Sequence, residues 1–193
     1  MEKKYKLTDE SVIVNGKTLH RIEALRDFGD VEKGDKGGFI ENESNLSQSD
    51  DCWVFGDAVV YGYVMVFGDA MVYDNAEICG DTLVCEDALV YGDAEVYGNA
   101  EVYGYAQVFG NAEICGDAVI TNKSDYILFK NWWSSGRHFT WTKSNNMWKV
   151  GCFYGTGKEL IDKAYKDSEK SGREYEKIVK YVESILEDNN ADV

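Results

Sequence analysis

The sequence predicts a mainly β protein: a triangular prism of stacked parallel coils, with a small β cap before it and an α+β module after it. Three observations predict this. From Val54 to Asn122 the chain repeats with a period of six, and Val or Ile opens each hexad. The fifth place is nearly always Ala, with Val64 and Thr82 as exceptions, and the third place is Gly in nine of eleven full hexads. Proline is absent, as suits a ladder that cannot spare N–H donors. Neither a helix nor an ordinary strand keeps a period of six, and a repeat this regular is read before local propensity.

The repeat translates directly into geometry. Ala, the sixth residue and Val form a short extended piece, with Ala and Val inward and the sixth residue outward. The second to fourth places, such as Tyr-Gly-Asp, turn the chain, because Gly and the following Asp or Asn suit tight turns. Three pieces close a coil of eighteen residues. The next coil stacks on it at about 4.8 Å.

Taken in order, residues 1–36 read as the cap. YKL and SVIV are expected as short strands, and Asn15-Gly16 as a hairpin turn before KTLHRI. Ala24 to Phe28 reads as a brief turn, and GDVEKGDKGG as a loop leading into the prism, residues 37–122. Ile40 and Leu46 are six apart and read as the first inward aliphatics; Val54 comes eight later, which places a two-residue insertion near Asp50-Asp51. Trp53 stands in an outward place, expected to pack on the cap.

Residues 123–193 change character. YILFK reads as a strand, and Phe139–Thr142 and Met147–Phe153 as two strands joined by a turn at Lys143–Asn146. A helix is expected from Gly157 to about Ser168, a break at Ser171-Gly172, then a second helix with a single apolar stripe, and a polar tail, EDNNADV.

The hexads resemble the left-handed β-helix of hexapeptide-repeat proteins, whose aliphatic first and small fifth places line the core. The V-[YF]-G-[DN]-A flavour, with the flanks GDKGGFIENESNLSQSDDCWV and NMWKVGCFYGTG, also resembles an uncharacterised group of bacterial and phage proteins. The resemblance covers about 70 residues and implies a fold, together with a tendency to form trimers; it does not fix an activity. Members with acyltransferase activity place a His on a coil. Here His20 and His138 are the only histidines, neither lies in the repeats, and no loop leaves the coils after residue 54. His138 is catalytic only under the alternative of an acyltransferase-like enzyme acting on a small molecule. Two histidines also cannot supply the three-His metal set of a carbonic anhydrase of this fold. No metal and no cofactor is expected. GTGKEL lacks the rest of a phosphate loop and reads as a helix cap.

Charge is the strongest functional signal. Residues 37–122 hold sixteen acids and no Lys or Arg, while residues 1–36 balance eight acids with eight bases and residues 123–193 carry eleven acids and twelve bases. The whole net charge of -15 therefore sits on the prism. Such a field repels nucleic acid and anionic membranes and attracts basic protein surfaces. The acidic surface comprises Asp57, Asp69, Glu77, Asp81, Asp87, Asp93, Glu95, Glu101, Glu113 and Asp117. Met65 and Leu83 share one outward column and Met71 and Leu89 another; in-register apolar residues suggest a covered face, either between copies in a trimer or dimer or against the terminal modules. In the last module Trp132, Trp133, Arg137, His138 and Trp148 form the candidate interaction cluster, since Trp and Arg are typical of interface hot spots.

The five cysteines are odd in number and include no CxxC pair, which points to a reducing, cytoplasmic setting. No apolar run is long enough to span a membrane and no secretion signal is visible. The expected function is a non-catalytic acidic interaction or inhibitor protein, in one version a phage product occupying a basic nucleic-acid-binding surface of a host protein. The alternatives are the enzyme above and a self-assembling scaffold.

Overall fold

Period-six hexads fold as expected into a parallel solenoid of the left-handed β-helix type, with eighteen residues per coil. The computed structural model describes residues 2–191, and side chains for residues 2–187. Two compact units are present: Met1–Tyr126 with Thr142–Asn145, and Ile127–Trp141 with Asn146–Val193.

The first unit opens with a hairpin, β1 (Tyr5–Val14) and β2 (Lys17–Ala24). Asn15 and Gly16, at φ +50° and +78°, make the turn that the right-handed twist of a hairpin favours. YKL and SVIV are one strand with an irregularity between Leu7 and Ser11, rather than two strands. β3 (Lys36–Ile40) pairs antiparallel with β2 and parallel with the first coil strand beneath it.

Twelve two-residue strands follow. They are β4 (Trp53–Val54), β5 (Val59–Val60), β6 (Met65–Val66), β7 (Met71–Val72), β8 (Glu77–Ile78) and β9 (Leu83–Val84). The run continues with β10 (Leu89–Val90), β11 (Glu95–Val96), β12 (Glu101–Val102), β13 (Gln107–Val108), β14 (Glu113–Ile114) and β15 (Val119–Ile120). Every third strand pairs in parallel, so three flat faces form: β3-β5-β8-β11-β14, β4-β7-β10-β13 and β6-β9-β12-β15. The inward Val, Ile and Ala side chains are all buried, so each edge contributes one larger and one small apolar group to a narrow core. Thr82, in an inward Ala place, satisfies its hydroxyl by donating to the Cys79 carbonyl at 2.7 Å.

The coil ladder has a direction. N–H groups of the second, fourth and sixth places donate to the first-, third- and fifth-place carbonyls of the next coil, as in Tyr73 to Val90, Asn75 to Gly92 and Glu77 to Ala94. One end of the prism therefore presents carbonyls and the other N–H groups, and both need partners. At the carbonyl end the Lys4 ammonium, fully buried, donates to the carbonyls of Cys52 (2.9 Å), Ser49 (3.0 Å) and Asp50 (3.2 Å). Tyr5 Oη donates to Leu46 O at 2.7 Å. At the N–H end one Asp125 carboxylate oxygen accepts from Thr121 N–H (2.8 Å) and Asn122 N–H (2.9 Å), Ser144 Oγ accepts from Val119 and Tyr126 Oη from Phe109.

The insertion in the first coil lies slightly earlier than expected. The Ser47 N–H donates to the Val66 carbonyl, nineteen residues on, where the Phe67 N–H one coil down donates to Val84, seventeen on, whereas the Asp50 carboxylate meets Gly68 eighteen residues on. The two extra residues are thus Gln48 and Ser49, and Gln48 Oε1 accepts from the backbone N–H of Lys4 at 2.8 Å. Trp53 is buried against Tyr5 and Phe28, as its outward place beside the cap suggested.

In the second unit β16 (Tyr126–Lys130), β17 (His138–Thr142), β18 (Met147–Val150) and β19 (Phe153–Gly155) form a sheet in chain order. The expected strand Met147–Phe153 is divided: Gly151, at φ +54°, turns the chain and Val150 pairs with Phe153. Helix α1 (Gly157–Asp167) begins with a capping box in which Thr156 and Glu159 satisfy each other's backbone N–H. Helix α2 (Glu169–Ala191) starts at once after Ser168 and runs through Ser171-Gly172, where a break was expected. Gly172 is a place of close helix approach: a Cβ there would stand 2.2 Å from the Tyr165 ring. The helix also takes in residues 187–191 of the expected polar tail; the last two residues of that tail lie outside the described residues.

Candidate interaction surfaces

The sixth-place side chains stand outward from the flat faces and stack in register. Glu77, Glu95 and Glu113 follow Val59 on one face; Met65, Leu83, Glu101 and Val119 run down the second; Met71, Leu89 and Gln107 follow the buried Trp53 on the third. Asp57, Asp69, Asp81, Asp87, Asp93 and Asp117 occupy the fourth place at the corners and are exposed, as are Glu95 and Glu101; Glu77 and Glu113 are half-buried.

Among the described residues, cations of the cap pair with acids of the first turns of the prism: Lys3 with Glu43 at 2.6 Å, Lys17 with Glu41 at 2.7 Å and Arg21 with Asp57 at 3.2 Å. Further along, neutral donors take over. Asn75 Nδ2 donates to Asp93 at 3.1 Å and Asn99 Nδ2 to Asp117 at 2.9 Å, so alternation of Asp with Asn turns a repulsive column into a hydrogen-bonded one. The Tyr61 hydroxyl donates to Glu77, and the Tyr97 hydroxyl lies 3.5 Å from Glu113. Burial pushes both phenols above their usual range, helped by Glu77 and Cys79 at Tyr61 and by Cys115 and Glu113 at Tyr97. Among the described residues Asp69, Asp81, Asp87 and Glu101 make no side-chain hydrogen bond or ion pair.

Second-place aromatics stack on one corner, Phe55 on Tyr73 at 4.5 Å and Tyr91 on Phe109 at 5.4 Å. Of the apolar outward residues, Met65 is 53% exposed, and Met71, Leu83 and Leu89 are half-buried. The hexad reading passed over Tyr63 and Tyr105, both well exposed in fourth places where Asp or Asn is usual. Departure from the Asp/Asn rule was the signal available for them.

In the second unit the candidate cluster divides. Trp132 is 79% exposed and stands edge-on to Trp133, whose indole N–H donates to Glu174 at 2.8 Å. Arg137 is exposed and His138, the first residue of β17, is half-buried. The loop carrying them is closed by buried Asn131, whose N–H donates to Arg137 O and whose Oδ1 accepts from Ser134. Trp148, expected at the surface, belongs instead to the core with Phe139, Trp141, Leu160 and Val179, because strand alternation turns it and Val150 inward.

His20 Nδ1 lies 3.1 Å from the Thr8 carbonyl, and among the described residues neither histidine is hydrogen-bonded to a nucleophile or a carboxylate. Among these residues no group of three His, Cys, Asp or Glu side chains is placed to hold a metal ion, and no helix is long and apolar enough to cross a membrane. All five cysteines are free thiols. No protein-family model and no curated protein matches the chain.

Proposed function

We propose that this is a non-catalytic interaction protein whose acidic β-helix engages a basic surface of another protein, in the manner of an inhibitor occupying a nucleic-acid-binding groove. The observation that supports the reading is the state of the acids. Outward carboxylates stand on consecutive coils, about 4.8 Å apart, and the cap's ion pairs, at Glu41, Glu43 and Asp57, lie at the first turns, while among the described residues Asp69, Asp81, Asp87 and Glu101 make no side-chain hydrogen bond or ion pair. A rigid array of like charges costs stability and gains it back on meeting a complementary surface. Capture experiments with the full chain, washed at increasing salt and followed by light scattering, test this. A basic protein retained at low salt and released at high salt is expected. Retention indifferent to salt, or recovery of nothing but further copies of the chain, would count against the proposal.

A further inference from the structure

Resting on that reading, we infer that one corner of the prism is the docking ridge. It is the corner between the β6-β9 and β7-β10 faces. Its fourth-place column runs Asp51, Asp69, Asp87, and among the described residues none of the three has a side-chain hydrogen bond or ion pair. On the other corners Asp57 is paired with Arg21, Asp93 with Asn75 and Asp117 with Asn99; among the described residues Asp81 is also without a side-chain partner, but no second unpaired acid shares its column and it is flanked on one side by Glu77. The flanks of this corner differ as well. Met65 and Leu83 pair in register on one side, and Met71 and Leu89 on the other. On the remaining face the corresponding places are Glu77, Glu95 and Glu113. Uncompensated acids and outward aliphatic side chains therefore coincide on the same two coils.

Charge complementarity selects the occupant. A second copy docking through this corner would bring Asp69 and Asp87 against its own like charges. A partner surface that combines Lys or Arg with apolar side chains, and is concave enough to straddle the corner, satisfies both features at once. Burying the aliphatic flanks strengthens the ion pairs by excluding water, and the acids select the partner's sign.

The experiment uses the full chain and two synthetic peptides of equal positive charge, one an amphipathic Leu/Lys sequence and the other a Lys/Ser sequence. The amphipathic peptide is expected to bind about tenfold more tightly, a difference of about 1.4 kcal/mol. The double variants Asp69→Asn/Asp87→Asn and Met65→Ser/Leu89→Ser are expected to lose that advantage, and Asp93→Asn/Asp117→Asn, with the same charge change on other corners, to keep it. If both peptides bind but the ridge and control variants behave alike, the ridge assignment fails and the general proposal stands. If neither peptide binds, both fail. Self-association that Met65→Ser/Leu89→Ser abolishes would assign the corner to a second copy and overturn the inference.

Discussion

The Asp74 carboxylate accepts a hydrogen bond from the backbone N–H of Gly92, eighteen residues on, at 3.1 Å. Asp74 itself sits in the left-handed region, φ +59°, at a third place where the repeat otherwise uses Gly. The same relationship recurs at two other left-handed, non-glycine third places: Glu86 with Gly104 at 2.9 Å, and Asp50 with Gly68 at 3.4 Å. The non-glycine residue costs about 1–2 kcal/mol of backbone strain, and the bond to the coil below offsets part of it. Ala at position 74 or 86 keeps the strain and loses the bond, so it is expected to destabilise by about 1–2 kcal/mol, with Gly at the same position costing less. Urea unfolding midpoints would show the order; Ala equal to or better than Gly would contradict it.

Lys4 is expected to be indispensable to the carbonyl end. Lys4→Met keeps the stem and removes the donors, leaving the buried Cys52 carbonyl and the part-buried Ser49 and Asp50 carbonyls without this partner. A loss of at least about 3 kcal/mol is expected, measured by chemical unfolding. Burial lowers the pKa of this ammonium, and Cys52 and Asp50 nearby oppose that shift.

Stability should fall at both extremes of pH. Burial works against the Asp125 charge, but the donors at Thr121 and Asn122 prevail and hold its pKa below the usual range. Its contribution is then fully present above about 3.9 and is lost as pH falls through the lower folded value. Burial pushes Tyr126 up to about 12 and raises Tyr5 further. Because the folded chain keeps these protons longer than the unfolded one, stability falls as pH rises above about 10. Tyr126→Phe is expected to flatten the alkaline limb and Asp125→Asn the acid limb, followed by thermal unfolding across pH.

Gly172→Ala should destabilise the second unit by about 1–3 kcal/mol, although Ala is the better helix former. The methyl group would meet the Tyr165 ring. Adding Tyr165→Ala should restore much of the loss, and a stabilising Gly172→Ala would show that the two helices do not approach as closely as 2.2 Å implies.

This glycine also shows where sequence reading runs out. A Gly inside an apolar helical stripe is equally a break or a close approach, and the facing Tyr165 decides between them only in three dimensions. The solenoid was legible because each coil repeats one local rule: Val54, Val72 and Val90 announce their own places. The ends were not, because their partners are distant. Nothing around Lys4 says that it caps carbonyls some 45 residues on, and nothing around Gln48 and Ser49 marks them, rather than Asp50-Asp51, as the insertion. The density of tryptophans around Trp148 points to a surface cluster, whereas its alternation with Val150 along one strand is what places both in the core. On the acidic surface the sequence shows which residues point outward; which acids are left unpaired, such as Asp69 and Asp87, depends on the reach of Arg21, Asn75 and Asn99.

The most direct test of the acidic-surface proposal is the salt dependence of affinity for the captured basic partner, measured for the wild-type chain and for Asp69→Asn/Asp87→Asn. The account predicts that affinity falls steeply with rising salt, and that the ridge variant binds more weakly and with a shallower dependence. Equal affinity of the two chains, unchanged between low and high salt, would contradict it.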